Sequence, residues 1–296
     1  MTRTLSRQQV RTALLHVQGI GRPPKPNRAG VMQAIRRMQE LQIDTISVVA
    51  RSQYLVLWSR LGDYDPALLD ALHADGQLFE YWSHAACYLP VEDYPLFRRL
   101  MLDSLIPWYH HPVRAAWRAE NAAALQGMLD HVRESGPVRS ADFERPEGEK
   151  GGGWWSRKIE KHLLENLFTS GDLMIAKRQN FQRIYDLRER VLPLPLHDDA
   201  TVPDAETALR ALTLKVVNAL GVARADWVKW YLSYLFTPLT TITRRLRDLV
   251  ESGDLEEVRM EGSKLPAFVP VDAKFPARRT AVEGVTTFLS PFDPIC

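Results

Sequence analysis

Gln42 and Asp44 stand two positions apart in the run Gln42-Ile43-Asp44-Thr45-Ile46-Ser47-Val48-Val49. Its β-branched content and partial alternation predict a strand. Positions i and i+2 of a strand share a face, so a carboxamide and a carboxylate converge on one small volume while Ile43 points the other way. The pair offers an acceptor-only group beside one that both donates and accepts. A structural reading competes: an Asp after a helix binds nearby main-chain amides, and a Gln at a helix end satisfies loose carbonyls. Other chemistry is poorly supplied. Cys87 and Cys296 give no spaced ligand set, and His110-His111 has no partner at ligand spacing, so no metal is expected. Gly151-Gly152-Gly153 runs into Trp154-Trp155 without the Lys-Ser/Thr ending of a phosphate loop.

The elements around this pair follow a repeated order. Asp65-Pro66 starts a helix with Leu68, Leu69 and Leu72, stopped at Asp75-Gly76 before Leu78-Phe79-Glu80-Tyr81-Trp82. Ile159, Leu163, Leu164 and Leu167 lead to Ser170-Gly171-Asp172-Leu173, then Met174-Ile175-Ala176 and Arg183-Ile184-Tyr185. Ile242, Leu246, Leu249 and Val250 lead to Ser252-Gly253-Asp254-Leu255, a strand near Glu257 to Met260, a turn at Glu261-Gly262-Ser263 and a return through Ala267-Phe268-Val269. In the third copy two further helical patterns come first, through Leu209, Leu212, Val216 and Leu220, then Trp227, Tyr231 and Leu235. Three helices and a two-stranded wing predict a winged helix, in which the helix before the wing normally enters a DNA groove. Those helices carry Arg157, Lys158 and Lys161 in the second copy and Arg244, Arg245 and Arg247 in the third. Taken singly, such charges do no more than solvate an amphipathic helix. Ahead of the pair, Ser6-Arg7-Gln8-Gln9 starts one helix, and Val31, Ile35, Met38 and Leu41 mark the next.

With 38 Lys+Arg against 36 Asp+Glu, the net charge of +2 excludes a uniformly basic coat, so any nucleic-acid surface is patterned. The 296 residues, 45% hydrophobic and 25% charged, match a folded chain of two or three compact units. Met1 to Arg11 lacks the shape of a secretory signal, no apolar run approaches a membrane span, and two cysteines suit a reducing compartment. A cytoplasmic protein, nucleoid-associated when bound to DNA, is expected.

Leu41 to Asp44, Val48-Val49-Ala50-Arg51-Ser52, Leu57 to Tyr64, Glu80-Tyr81-Trp82-Ser83-His84-Ala85-Ala86 and the closing Leu289-Ser290-Pro291-Phe292-Asp293-Pro294 together resemble the winged-helix DNA glycosylases of the AlkZ-like and YcaQ-like family. The resemblance spans nearly the whole chain. Its catalytic signature is Gln, an aliphatic residue, then Gln or Asp, and Gln42-Ile43-Asp44 matches the Asp-bearing branch, associated with unhooking interstrand crosslinks and removing bulky N7-alkylated purines. The resemblance implies Asp44 as general base or electrostatic stabiliser, and Gln42 as the residue that orients water or holds sugar and phosphate. With no lysine in the signature to form a Schiff base, a monofunctional hydrolase without cofactor is expected. Arg51 and Arg60 either bind phosphates or form buried ion pairs with Asp63 or Glu80. His84 either titrates in the pocket or packs as a hydrogen-bonded residue, and Tyr81 and Trp82 either stack on a base or belong to the core.

The expected fold is thus mainly α with small β-hairpins, as tandem winged-helix domains. The expected divisions are 1–115 with the Gln-x-Asp motif, 116–198, 199–275, and 276–296 as the start of a C-terminal β-rich domain that family members usually complete. Proline-rich Leu192 to Leu196 is the expected linker before Asp199. The expected partner is double-stranded DNA carrying alkylated bases or crosslinks, bound by a monomer without membrane attachment. The rival reading is a non-enzymatic winged-helix transcriptional regulator.

Overall fold

A computed structural model describes residues 2–21, 23–107, 112–143, 159–273 and 286–295. Arg157, Lys158, His110-His111 and the Gly151 to Trp155 run lie outside the described residues. In chain order the elements are β1 (Thr4–Leu5), α1 (Arg7–Val17), α2 (Arg28–Met38), β2 (Leu41–Gln42), α3 (Ser52–Leu61), α4 (Ala67–Ala74), β3 (Leu78–Trp82), β4 (Ala86–Pro90), α5 (Tyr94–Leu102), α6 (Pro112–Glu120), α7 (Ala122–Ser135), α8 (Ile159–Ser170), β5 (Leu173–Gln179), β6 (Gln182–Leu187), α9 (Arg188–Val191), α10 (Ala205–Leu220), α11 (Ala225–Tyr231), α12 (Leu239–Glu251), β7 (Leu255–Met260) and β8 (Pro266–Pro270). The chain is mainly helical with small sheets. Among the described residues no helix is long and apolar enough to cross a membrane.

The repeated stop is one piece of hydrogen-bond chemistry used three times. Gly76, Gly171 and Gly253 all have positive φ, at 67°, 76° and 81°. The residue after each donates its N–H five positions back: Gln77 to Leu72, Asp172 to Leu167, Asp254 to Leu249. This closes the helix with otherwise orphaned carbonyls satisfied, at a backbone conformation that costs glycine little. Leu72, Leu167 and Leu249 are buried beneath the closures. Leu78, Leu173 and Leu255 are each the first residue of the following strand. Helix starts follow local rules too: Ser6 and Gln9 form a reciprocal capping box on α1, and Asp65 accepts from the Ala67 amide ahead of α4.

Three small sheets result among the described residues, ordered β2-β4-β3, β5-β6 and β1-β7-β8. The largest core runs from Phe79 and Tyr81 through Phe97, Phe168 and Tyr185 to Leu246 and Phe268. A second core joins α2, α3 and α4 through Ile35, Met38, Leu57 and Leu72, and it includes Leu41 and Ile43. These two residues nail the Gln42–Asp44 segment to a rigid base.

The strand predicted across residues 42–49 ends after Gln42. The Asp44 carboxylate accepts a 2.6 Å hydrogen bond from the Ile46 amide, a local bond that competes with a ladder. Beyond it, Val48 and Val49 are each 89% exposed in a turn closed by a Ser47–Arg51 bridge.

Candidate active site

Strand β2 lies antiparallel to β4, with Leu41 opposite Tyr88 and Gln42 opposite Cys87. The Ile43 amide extends the pairing with a 2.8 Å bond to the Ala86 carbonyl. Leu41 and Ile43 are buried, and Gln42 and Asp44 are half-buried. Burial alternates along the segment although Asp44 lies beyond the last strand residue, and of the two only Gln42 lines the neighbouring cleft. The Asp44 amide is held by Gln53 Oε1 at 3.1 Å. One Asp44 carboxylate oxygen caps Ile46, and the other has no partner among the described residues.

Gln42 opens on a cleft of about 290 Å³ lined by Glu40, Gln42, His84, Trp230, Tyr231, Ser233 and the segment Pro291 to Pro294. Among the described residues this lining holds neither Lys nor Arg. His84 sits on the turn between β3 and β4. Its Nε2 lies 2.8 Å from Gln42 Oε1 and its Nδ1 3.0 Å from Glu40 Oε1. Glu40 is itself buried, and its other carboxylate oxygen accepts from the Ser83 hydroxyl. Burial pulls the His84 pKa down, but the hydrogen bond and negative charge of Glu40 outweigh it, leaving it above the ordinary imidazole value.

The far wall explains the closing motif. Asp293 binds Arg60 through two bonds, 2.5 and 2.9 Å, and both side chains are fully buried. Gln18 Oε1 accepts from the same guanidinium, and Ser290 pairs with Ser52 at 2.6 Å. The loop bearing Pro291 and Phe292 is therefore bolted to α3 by a desolvated, bidentate ion pair. Arg60 is not a phosphate ligand, and its partner is neither Asp63 nor Glu80.

A model of the AlkZ-like DNA glycosylases matches residues 35–296. The chain belongs to the AlkZ-like DNA glycosylases. The DNA glycosylase AlkZ of Streptomyces sahachiroi shares the fold at a TM-score of 0.64 and 18% identity, over 91% of this chain and 71% of that one.

In this glycosylase the remaining expected contacts separate. Tyr81 is fully buried and donates to the Thr169 carbonyl at 2.6 Å, so it belongs to the core and does not stack on a base. Trp82 is half-buried, edge-on to Phe168 and beneath Arg183. Arg51 precedes α3 and lies 4.0 Å over the Phe181 ring. Glu80, fully buried, pairs with Arg178 and Arg183 instead of Arg51 or Arg60. Burial raises the Glu80 pKa, but the two guanidiniums overcome that and hold it below the ordinary value. Lys161, Arg244 and Arg247 are exposed. Arg245 is buried and pairs with Glu206 at 3.0 Å, which removes it from any DNA-facing surface.

Sequence reasoning missed Glu40, Trp230 and the role of Asp293. Glu40 precedes the strand and reads as a helix-end charge. Trp230, 80% exposed, reads as part of a helical apolar pattern. Glu40, His84 and Cys87 bring ligand atoms within 4.8 Å of one another. Burial pushes the Cys87 thiol well up, against the thiolate a metal needs. Hydrogen bonds already engage both Glu40 oxygens.

Proposed function

We propose that this glycosylase hydrolyses the N-glycosidic bond of N7-alkylated purines in duplex DNA, bulky adducts and interstrand crosslinks included, by a monofunctional route. The supporting observation is that Gln42 and Asp44 are the half-buried polar residues on either side of buried Ile43, with Gln42 lining the cleft. An N7-alkylated purine is already cationic, so it leaves without a strong general acid. Positive charge grows on the sugar as the bond to C1′ breaks, and a carboxylate stabilises it. Asp44 takes a proton from the water whose oxygen attacks C1′, while the bonding pair leaves with the purine nitrogen. Gln42 holds the water or the nucleotide. Trp230, Tyr231 and Phe292 in the cleft lining suit a cationic, planar adduct.

The three helix–hairpin units are read as tandem winged helices, divided near residues 115, 198 and 275. They grip the backbone on both sides of the lesion. A crosslinked base is tethered to the opposite strand and cannot swing fully out, so an open cleft suits it better than a deep pocket. Duplex DNA carrying N7-methylguanine tests the reading: free modified base is released and the abasic strand stays intact until alkali is added. Release without Asp44, or strand cleavage in step with base release, refutes the assigned mechanism.

A further inference from the structure

We propose that Glu40 and His84 are positioning residues that turn the Gln42 carboxamide so that its NH₂ group, not its carbonyl, faces the bound nucleotide. The proposal rests on the reading above, in which Gln42 meets substrate, and it chooses between the two roles left open there.

The chain of bonds runs from a buried anchor outward. Ser83 and His84 Nδ1 take the two oxygens of Glu40. A nitrogen 3.0 Å from a carboxylate oxygen carries its proton. The other nitrogen, Nε2, lies 2.8 Å from Gln42 Oε1. With Oε1 turned to the ring, Nε2 is the donor and the ring an imidazolium, the arrangement this proposal assigns. Gln42 then spends its carbonyl on His84 and keeps both N–H bonds for the cleft. With a neutral ring Nε2 would be an acceptor, and the carboxamide would have to rotate by half a turn to satisfy it. The protonation of His84 thus decides which end of Gln42 meets the substrate.

Charge around His84 favours the imidazolium. Glu40 faces it from the end of α2 and Cys87 from β4, while Tyr231 from α11 and Asp293 from the closing segment line the same cleft. Burial pushes the Cys87 thiol and the Tyr231 phenol well above their ordinary values, so both stay neutral near pH 7. Asp293 is committed to Arg60. Glu40 therefore supplies the countercharge. A nucleotide presents phosphate and deoxyribose oxygens, all acceptors, and an outward NH₂ binds them where an outward carbonyl would repel them.

The test is a double-mutant cycle on single-turnover release of N7-methylguanine from duplex DNA, with DNA affinity and thermal unfolding measured alongside. His84→Ala is expected to slow excision about 10²-fold, the scale of a misplaced contact group, and to add nothing in a Gln42→Ala background. Gln42→Glu, which keeps the acceptor for His84 but lacks the donor, is expected to be as slow as Gln42→Ala. The rate falls as pH rises through the His84 pKa, and Glu40→Gln moves that limb to lower pH. Should Glu40→Gln unfold the protein, His84→Ala on its exposed turn carries the test alone.

Wild-type rates for His84→Ala with a slow Gln42→Ala overturn this proposal and leave the proposed function standing. So does a His84→Ala loss that persists undiminished without Gln42. A chelator that slows the wild type as much as His84→Ala does would assign Glu40 and His84 to a metal ion and overturn it as well. Wild-type release by Gln42→Ala removes the reading beneath it.

Discussion

The first and third hairpins are built by the same rule and end in different trades. Each follows a helix closed at a positive-φ glycine, and each gains a third strand, but on opposite edges and in opposite senses. In the first, β2 joins antiparallel to β4, the returning strand. In the third, β1 joins parallel to β7, the outgoing strand. The β3–β4 turn holds Ser83 and His84, so an added strand at β4 puts Gln42 within reach of an imidazole. The turn after β7 holds Glu261, whose carboxylate accepts from the Arg7 amide and ties down the chain start. The second hairpin gains no third strand among the described residues. Instead its tip reaches back: Arg178 and Arg183 clamp Glu80 on β3, and Phe181 supports Arg51. The proposed chemistry falls where an edge strand and a turn of different origin meet, while the second hairpin braces β3 and the proposed grip falls to the third unit.

The sharpest way to break this division is Asp44→Asn. Excision should drop by about 10²- to 10⁴-fold, the usual worth of a positioned acid or base, with the dissociation constant for lesion-bearing DNA unchanged. Single-turnover rates and binding titrations check both halves. An equal loss from Arg244→Ala and Arg247→Ala together would erase the contrast, because it would make the third hairpin part of the chemistry.

Next in size is the brace. Glu80 is fully buried between two guanidiniums, and Glu80→Ala strands them, at a cost of about 3 to 5 kcal/mol in unfolding free energy. Chemical denaturation measures it. The pH dependence follows from the depressed folded pKa. Stability from the clamp is complete above the unfolded value, near 4.5, and is lost as pH falls through the folded one. The melting temperature of the wild type should therefore fall more steeply below about pH 4.5 than that of Glu80→Gln. Asp293→Ala removes the partner of buried Arg60 and carries a similar cost of about 3 to 5 kcal/mol. It should also slow excision, since it frees the cleft wall at Phe292, whereas Glu80→Ala molecules that remain folded should excise normally.

Local rules made much of this legible in the sequence. Capping pairs, glycine stops and apolar stripes are contacts within a few residues, and they placed the helices and strand starts. Gln42 and Asp44 were legible as a pair because a strand's period of two is also local. The partners that give the pair its setting lie far along the chain. His84 is 42 residues from Gln42, and Asp293 is 233 from Arg60. No spacing rule relates residues so distant, which is why Arg60 was matched with Asp63 or Glu80 and Glu40 was overlooked. Tyr81 shows the converse. Its type suits stacking, but alternation in β3 fails because both of its faces pack on other elements, and the ring is buried.

The smallest expected effect separates three neighbouring arginines on α12. Arg244 and Arg247 face solvent, and Arg245 turns inward to Glu206. If α12 lies along the DNA backbone, each exposed guanidinium displaces counterions. The slope of log affinity against log salt should then shrink by about 0.9 per charge removed, with no change in the excision rate of bound substrate. Arg245→Ala should leave that slope alone and lower the melting temperature, because it removes a buried arginine that pairs with the exposed Glu206 across the α10–α12 contact. A slope that responds to Arg245 as strongly as to Arg244 would mean that the helix turns its other face to the phosphates, and the grip would have to be sought on α8, where Lys161 is exposed.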